Sequence, residues 1–151
     1  MKISMNDKMH REYIKIKEIN YNNQIDFDVK ISSEYNVILL NQHEKITVES
    51  VRRGIKFLGG KMRYEIENNE IYINDYAKKD DIQEIIKMGF IIARKLELEF
   101  EKLDIKNICI IISIDSGNNG NLTFYEIVDD NSWLASNLEN YDELIAILII
   151  S

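Results

Sequence analysis

At 151 residues, 45% hydrophobic and 30% charged, the chain has the makings of one domain able to bury about 68–70% of its unfolded surface, which excludes a disordered or low-complexity polymer. A single cysteine, Cys109, excludes an internal disulfide, and no apolar run reaches the length needed to cross a bilayer. The formal net charge of −7 sits in one region: residues 107–151 hold seven carboxylates and no lysine or arginine, while nineteen acids balance nineteen bases before them.

No proline, Gly/Ser-rich linker or repeat interrupts the sequence, so residues 1–151 are expected to form a single domain. Met1 is followed by no apolar leader, and a cytoplasmic, soluble protein is expected. Residues 12–19 and 24–31 alternate apolar with polar side chains around Asn20-Tyr21-Asn22-Asn23, the pattern of a hairpin with one wet face. A third strand is predicted over 36–40. Thr47 then opens a helix whose Val48, Val51, Ile55 and Leu58 step by three and four, and Gly59-Gly60 ends it. Residues 62–66 and 70–74 alternate about Asn68-Asn69 and predict a second hairpin.

Asp80 or Asp81 caps the longest element, a helix reaching about Leu103, with Ile82, Ile85, Ile86, Gly89, Ala93, Leu96, Phe100 and Leu103 on one stripe. Met88, Phe90, Ile91 and Leu98 fall off the stripe. The middle of this helix is thus apolar nearly all round, and its second face is either enclosed in the core or shared with another subunit. Residues 108–114 predict a central strand buried on both faces, joined by a Gly/Asn turn at 115–120 to a strand over 121–127. A polar, aromatic segment with a short helix follows, and residues 145–150 return as a closing buried strand. The fold class is α+β, a mostly antiparallel sheet built from hairpins and packed against one long and one shorter helix.

Motifs for chemistry are absent. Gly54-Ile55-Lys56-Phe57-Leu58-Gly59-Gly60-Lys61-Met62 resembles a phosphate loop only in part, because the lysine is one position late, Met62 stands where a magnesium-binding hydroxyl belongs, and the glycines end a helix. Gly117-Asn118-Asn119-Gly120-Asn121 has no dinucleotide-binding spacing and reads as a turn. His10 and His43 lie in polar settings without metal-ligand spacing, Asp80-Asp81 suits a helix cap, and Asp129-Asp130 lacks the spread of ligands a calcium loop needs. Cys109, in an apolar strand, reads as an inert buried thiol. No catalytic residue, cofactor or metal is therefore expected, and no nucleophile, base and orienting group can be named together. Arg52-Arg53-Lys56 and Arg94-Lys95 read as solvated helix faces, so neither nucleic acid nor membrane is an expected partner.

Residues 128–144 hold the only tryptophan and five of the seven acids. Asp129, Asp130, Trp133, Glu139, Tyr141, Asp142 and Glu143 are the candidate partner-binding residues: aromatic anchors bury area at low entropic cost, and carboxylates attract a basic surface and pair with arginine. The competing reading packs Trp133, Leu134 and Leu138 beneath the sheet with the carboxylates solvated above. Buried strands alone would exclude lysine from this region, but they do not account for the accumulated acids.

The run Asn131-Ser132-Trp133-Leu134 through Asn137-Leu138-Glu139-Asn140-Tyr141, followed by an Ile-rich terminal strand, resembles the C-terminal ends of small bacterial immunity proteins that neutralise polymorphic or contact-dependent growth inhibition toxins. This resemblance, over about twenty residues, implies a cytoplasmic, non-enzymatic inhibitor that binds a cognate toxin domain with a basic surface, such as a nuclease. The alternative expectation is a homo-oligomeric structural or adaptor protein whose homodimer seam is the second apolar face of helix 81–103.

Overall fold

A strand with apolar side chains on both faces can sit only at the middle of a covered sheet, and residues 108–114 do so. The computed structural model describes residues 1–23, 25–40, 46–129, 133–134 and 137–151. In chain order its elements are β1 (Lys2–Met5), α1 (Asp7–Tyr13), β2 (Ile31–Ser32), β3 (Leu39–Leu40), α2 (Val48–Leu58), α3 (Lys61–Asn68), β4 (Ile71–Tyr72), α4 (Ile82–Lys102), β5 (Ile108–Ile114), β6 (Gly120–Glu126) and β7 (Leu144–Ile150). One sheet has the order β1-β7-β5-β6-β4, and β2 and β3 form a second, two-stranded sheet. Every pairing among the described residues is antiparallel, and the architecture is α+β.

The period of two along the central strands sorts side chains between two cores. Ile108, Ile110, Ile112 and Ile114, with their neighbours Phe124, Leu122, Leu148 and Ala146, face α4 and form the main core. Cys109, Ile111, Tyr125, Ile147 and Ile149 face the other way, beneath α3. Helix α4 starts where expected, at Asp81, whose carboxylate accepts the N–H groups of Gln83 and Glu84. Met88, Phe90 and Ile91 are as buried as the principal stripe: the ring of Tyr13 lies 5.1 Å from that of Phe90, and Ile16, Ile19, Ile25, Phe27, Val29 and Ile31 pack against the same core. Of the two arrangements expected for this helix, enclosure within the chain is the one observed, and only its end, at Leu98 and Leu103, is exposed.

Two expected hairpins are replaced. Residues 12–19 begin as the end of α1 and continue without regular structure, and the alternation over 25–31 turns Ile25, Phe27, Val29 and Ile31 inward without a β ladder until Ile31–Ser32 pairs with β3. Alternation there records one-sided burial, not strand pairing. Residues 62–66 belong to α3: Met62 and Ile66 reach the sheet, Tyr64 reaches α2, and no single face holds all three apolar side chains, so the pattern has no helical period. Strand β1, pairing with β7, was not expected from the sequence. Four α-helices stand among the described residues where two were expected.

Two buried polar side chains tie these parts together. Asn6 caps α1 by accepting the N–H of Met9 at 3.0 Å, accepts the N–H of Ile145 at 3.1 Å, and donates to the Glu143 carbonyl at 2.8 Å. Replacing it with alanine removes a cap and leaves buried backbone groups without partners, so Asn6→Ala is expected to lower unfolding free energy by roughly 2–4 kcal/mol in denaturant titrations. A change under about 0.5 kcal/mol would place those groups in water instead.

Glu65, wholly buried, accepts the N–H of Ile38 at 2.6 Å and that of Glu126 at 3.0 Å. Burial pushes its carboxyl above the ordinary glutamate range, opposed by those two hydrogen bonds and by Lys61. A raised folded pKa means the fold prefers the protonated acid, so its contribution is full at acid pH and declines as pH rises through the folded value. Glu65→Gln, which exchanges one acceptor for a donor, is expected to cost about 1–3 kcal/mol at acid pH, with the gap to wild type narrowing toward neutral pH. Parallel denaturant titrations measure it; a gap that does not change with pH would mean that Glu65 titrates alike in the folded and unfolded chain.

Candidate functional site

The second face of the sheet is only partly covered. Met62 and Ile66 of α3 and Leu134 pack on it, and Trp133, 38% exposed, stands between two cavities. The first, about 480 Å³, lies between the α2–α3 junction and the end of β6, where Lys61 is ion-paired with Glu126 and the Arg63 guanidinium sits 5.5 Å from the Trp133 ring centroid. Gly59, with φ 83°, terminates α2 as expected, but Gly60 then serves as the N-cap of α3, so the glycine pair both ends one helix and starts the next.

The second cavity, about 310 Å³, is a groove on the open sheet face. Ile111, Thr123 and Ile145 are among its lining residues, with Trp133 and Tyr141 contributing aromatic rings and Glu67, Glu70 and Glu143 contributing carboxylates. Among the described residues no lysine or arginine lines it. None of these three carboxylates has an ion-pair partner among the described residues. Unpaired carboxylates around an aromatic cleft favour a guanidinium or ammonium side chain, which gains charge-assisted hydrogen bonds and a ring face at once.

The structure brings together Trp133, Tyr141 and Glu143 of the expected residues and adds Glu67 and Glu70 from α3 and its exit. Trp133 lies at the surface instead of beneath the sheet, while Leu134 packs, partly buried, against the second core. Glu139 and Asp142 turn toward α1: Glu139 accepts the N–H of Asp7 at 2.7 Å, and Lys8 donates to the Asp142 carbonyl at 2.9 Å and stands 3.9 Å from its carboxylate. Asp129 is exposed, in left-handed backbone with φ 59°, just beyond the far end of β6. Asp130 and His43 lie outside the described residues. The acids are thus divided: Glu126 and Asp129 lie near one end of the sheet and Asp115, Asp142 and Glu143 near the other, separated by the length of a seven-residue strand, about 20 Å. Glu67 and Glu70 escaped the sequence reading because 62–66 was taken for a strand.

Other titratable groups serve the fold. Burial pushes the Cys109 thiol up, away from the reactive thiolate. Asp115 closes the β5–β6 turn by accepting the N–H groups of Asn119 and Gly117, each at 2.9 Å, and the Asn119 backbone and side-chain amides, followed by the Gly117 N–H, lower its pKa. Among the described residues no group of three or more His, Cys, Asp or Glu side chains is placed to hold a metal ion, and no helix is long and apolar enough to cross a membrane.

No curated protein and no solved structure matches the chain. Residues 4–151 match the family model described as the Uncharacterized protein PM0498 family, and the chain belongs to that family.

Proposed function

We propose that this chain is a non-enzymatic, immunity-type binding protein of the bacterial cytoplasm that neutralises a cognate toxin domain by receiving a basic element of it in the acid-rimmed groove. The observation that carries the reading is the groove itself: Trp133 and Tyr141 with Glu67, Glu70 and Glu143, no lysine or arginine among its described lining residues, and carboxylates without an ion pair among the described residues. The resemblance of the 131–141 run to immunity-protein C-termini supports the same reading. Anchoring rings supply packed area, and the carboxylates supply attraction and discrimination against acidic surfaces. Glu139 and Asp142, at the same end of the sheet as Glu143, extend the negative field beside the groove and act on encounter rate more than on the bound state, whereas Asp129, about 20 Å away at the other end, lies outside it. A nuclease, whose substrate-binding surface is positively charged, is the toxin class that suits this field.

The test couples capture to rescue. Wild-type chain used as bait in the source organism is expected to retain the C-terminal domain of a secreted or surface protein, and co-expression with that domain is expected to restore growth of cells it otherwise kills. Glu70→Lys/Glu143→Lys should slow association with the captured domain by about tenfold or more at low salt, with a smaller effect at high salt, as expected where screening matters. Failure of co-expression to protect would overturn the immunity reading, and an unchanged association rate would remove the groove from the interface. Asp142→Lys, which places a cation beside Lys8 on an exposed surface, is expected to slow association less and to change stability by no more than about 1 kcal/mol.

A further inference from the structure

Helix α2 presents a face on which none of the described residues packs. Val51 is buried and Ile55 and Leu58 pack toward Val37, Leu39 and Tyr64, whereas Arg52, Arg53 and Lys56 are exposed and Phe57 is 89% exposed, more than any other large hydrophobic side chain described. The helix cannot roll to hide this ring. A Cβ on Gly54 would lie 2.2 Å from the Tyr64 ring, so the α2–α3 contact is already at closest approach. The lobe is basic as well: residues 46–64 contain Arg52, Arg53, Lys56, Lys61 and Arg63 against Glu49 alone. Arg53 is paired with Glu49, whereas Arg52 and Lys56 have no ion-pair partner among the described residues.

We infer that this α2 face docks into the acid-rimmed groove of a second copy of the chain. Phe57 enters the 310 Å³ cavity beside Trp133 and Tyr141, and Arg52 and Lys56, one helical turn apart, meet Glu67, Glu70 and Glu143. Charge complementarity chooses the occupant: an uncovered cationic face with an aromatic knob and an uncovered anionic groove of aromatic walls belong to the same molecule. Both adjoin α3, and Trp133 lines the cavities at each end of it, so two copies can exchange the contact reciprocally about a two-fold axis and close as a dimer. The inference rests on the reading of the groove as a receptor for basic elements. It adds that the chain's own helix occupies that receptor until a toxin displaces it.

Sedimentation equilibrium of the purified full chain over a concentration series, at low and high salt, tests this without any toxin. The expected result is a monomer–dimer equilibrium that weakens with salt, with Phe57→Ser and Arg52→Glu/Lys56→Glu each raising the dissociation constant tenfold or more. Phe57→Ser alters an exposed side chain, and circular dichroism checks that it folds. Mixing Arg52→Glu/Lys56→Glu with Glu67→Arg/Glu70→Arg is expected to restore a heterodimer that neither variant forms alone. A monomer at every concentration, or a dimer indifferent to these substitutions, overturns the self-docking. So does a monomeric chain whose α2 face binds a single-stranded oligonucleotide or phosphatidylserine vesicles and loses that binding in Arg52→Glu/Lys56→Glu. A monomer that still captures and neutralises a toxin would overturn the self-docking alone, whereas a charge-sensitive dimer that protects against no toxin would overturn the immunity reading alone.

Discussion

The position of α3 depends on how one sheet edge is satisfied. Strand β4 pairs with β6 only at Ile71 and Tyr72, opposite Leu122 and Asn121, which leaves the Phe124 carbonyl and the Glu126 N–H facing away from any strand. Buried backbone groups without partners cost about 1–3 kcal/mol each. Glu65 and Asn69, one helical turn apart, meet them: Asn69 donates to Phe124 at 3.0 Å and Glu65 accepts from Glu126. The same two side chains hold residues 38–40 on their other side, Asn69 through the Ile38 carbonyl and Leu40 N–H and Glu65 through the Ile38 N–H. A carboxylate and an amide therefore stand where another strand would, and the desolvation of Glu65 is the cost of that substitution.

With α3 fixed in this way, everything on the second sheet face follows from its helical spacing. Glu65 and Asn69 point into the edge, Met62 and Ile66 rest on the sheet, Tyr64 packs on α2, Lys61 and Arg63 line the first cavity, and Glu67 faces the second. The groove is in this sense a by-product of a capped edge. A helix of eight residues covers about 12 Å, less than the sheet is long, and beyond its end Trp133, Leu134 and Tyr141 border the groove. A groove with Ser113, Asn121 and Thr123 on its floor, buried isoleucines beneath and carboxylates at its edge suits partner binding better than stability alone.

The sequence revealed its long-period and strongly capped elements. The α4 stripe with Asp81 before it, α2 between Thr47 and Gly59, the two buried strands over 108–114 and 145–150 and the strand after the Gly/Asn turn were legible, because helix caps, continuous burial and turn residues leave signals within a few residues. Over 25–31 the pairing differs from the expectation but the facing does not, since alternation reports which side is wet and says nothing of where the hydrogen bonds go; over 12–19 the facing fails too, because Ile14 is exposed at the end of α1. Helix α3 was illegible for a physical reason, its three environments giving no apolar stripe. That single loss hid Glu67 and Glu70, while Trp133, Tyr141 and Glu143, close in sequence, could be grouped without knowing the fold. The two roles assigned to Trp133 and Leu134 were separable only in three dimensions.

The charge asymmetry also resolves into two causes. Strands β5, β6 and β7 are packed on both faces over much of their length, so lysine and arginine are excluded from most of residues 107–151 by burial. Acids remain only where strands end or have not begun, and several are tied into the chain: Asp115 in its turn, Glu126 to Lys61, Glu139 to α1 and Asp142 to Lys8. Glu143 is different. Its carbonyl is held by Asn6, which anchors the backbone entering β7, yet its carboxylate lines the groove without an ion pair among the described residues. With the backbone anchored, only the Glu143 side-chain rotamers remain to be ordered when a partner arrives, and the absence of an ion pair among the described residues separates this carboxylate from the tied acids of the region.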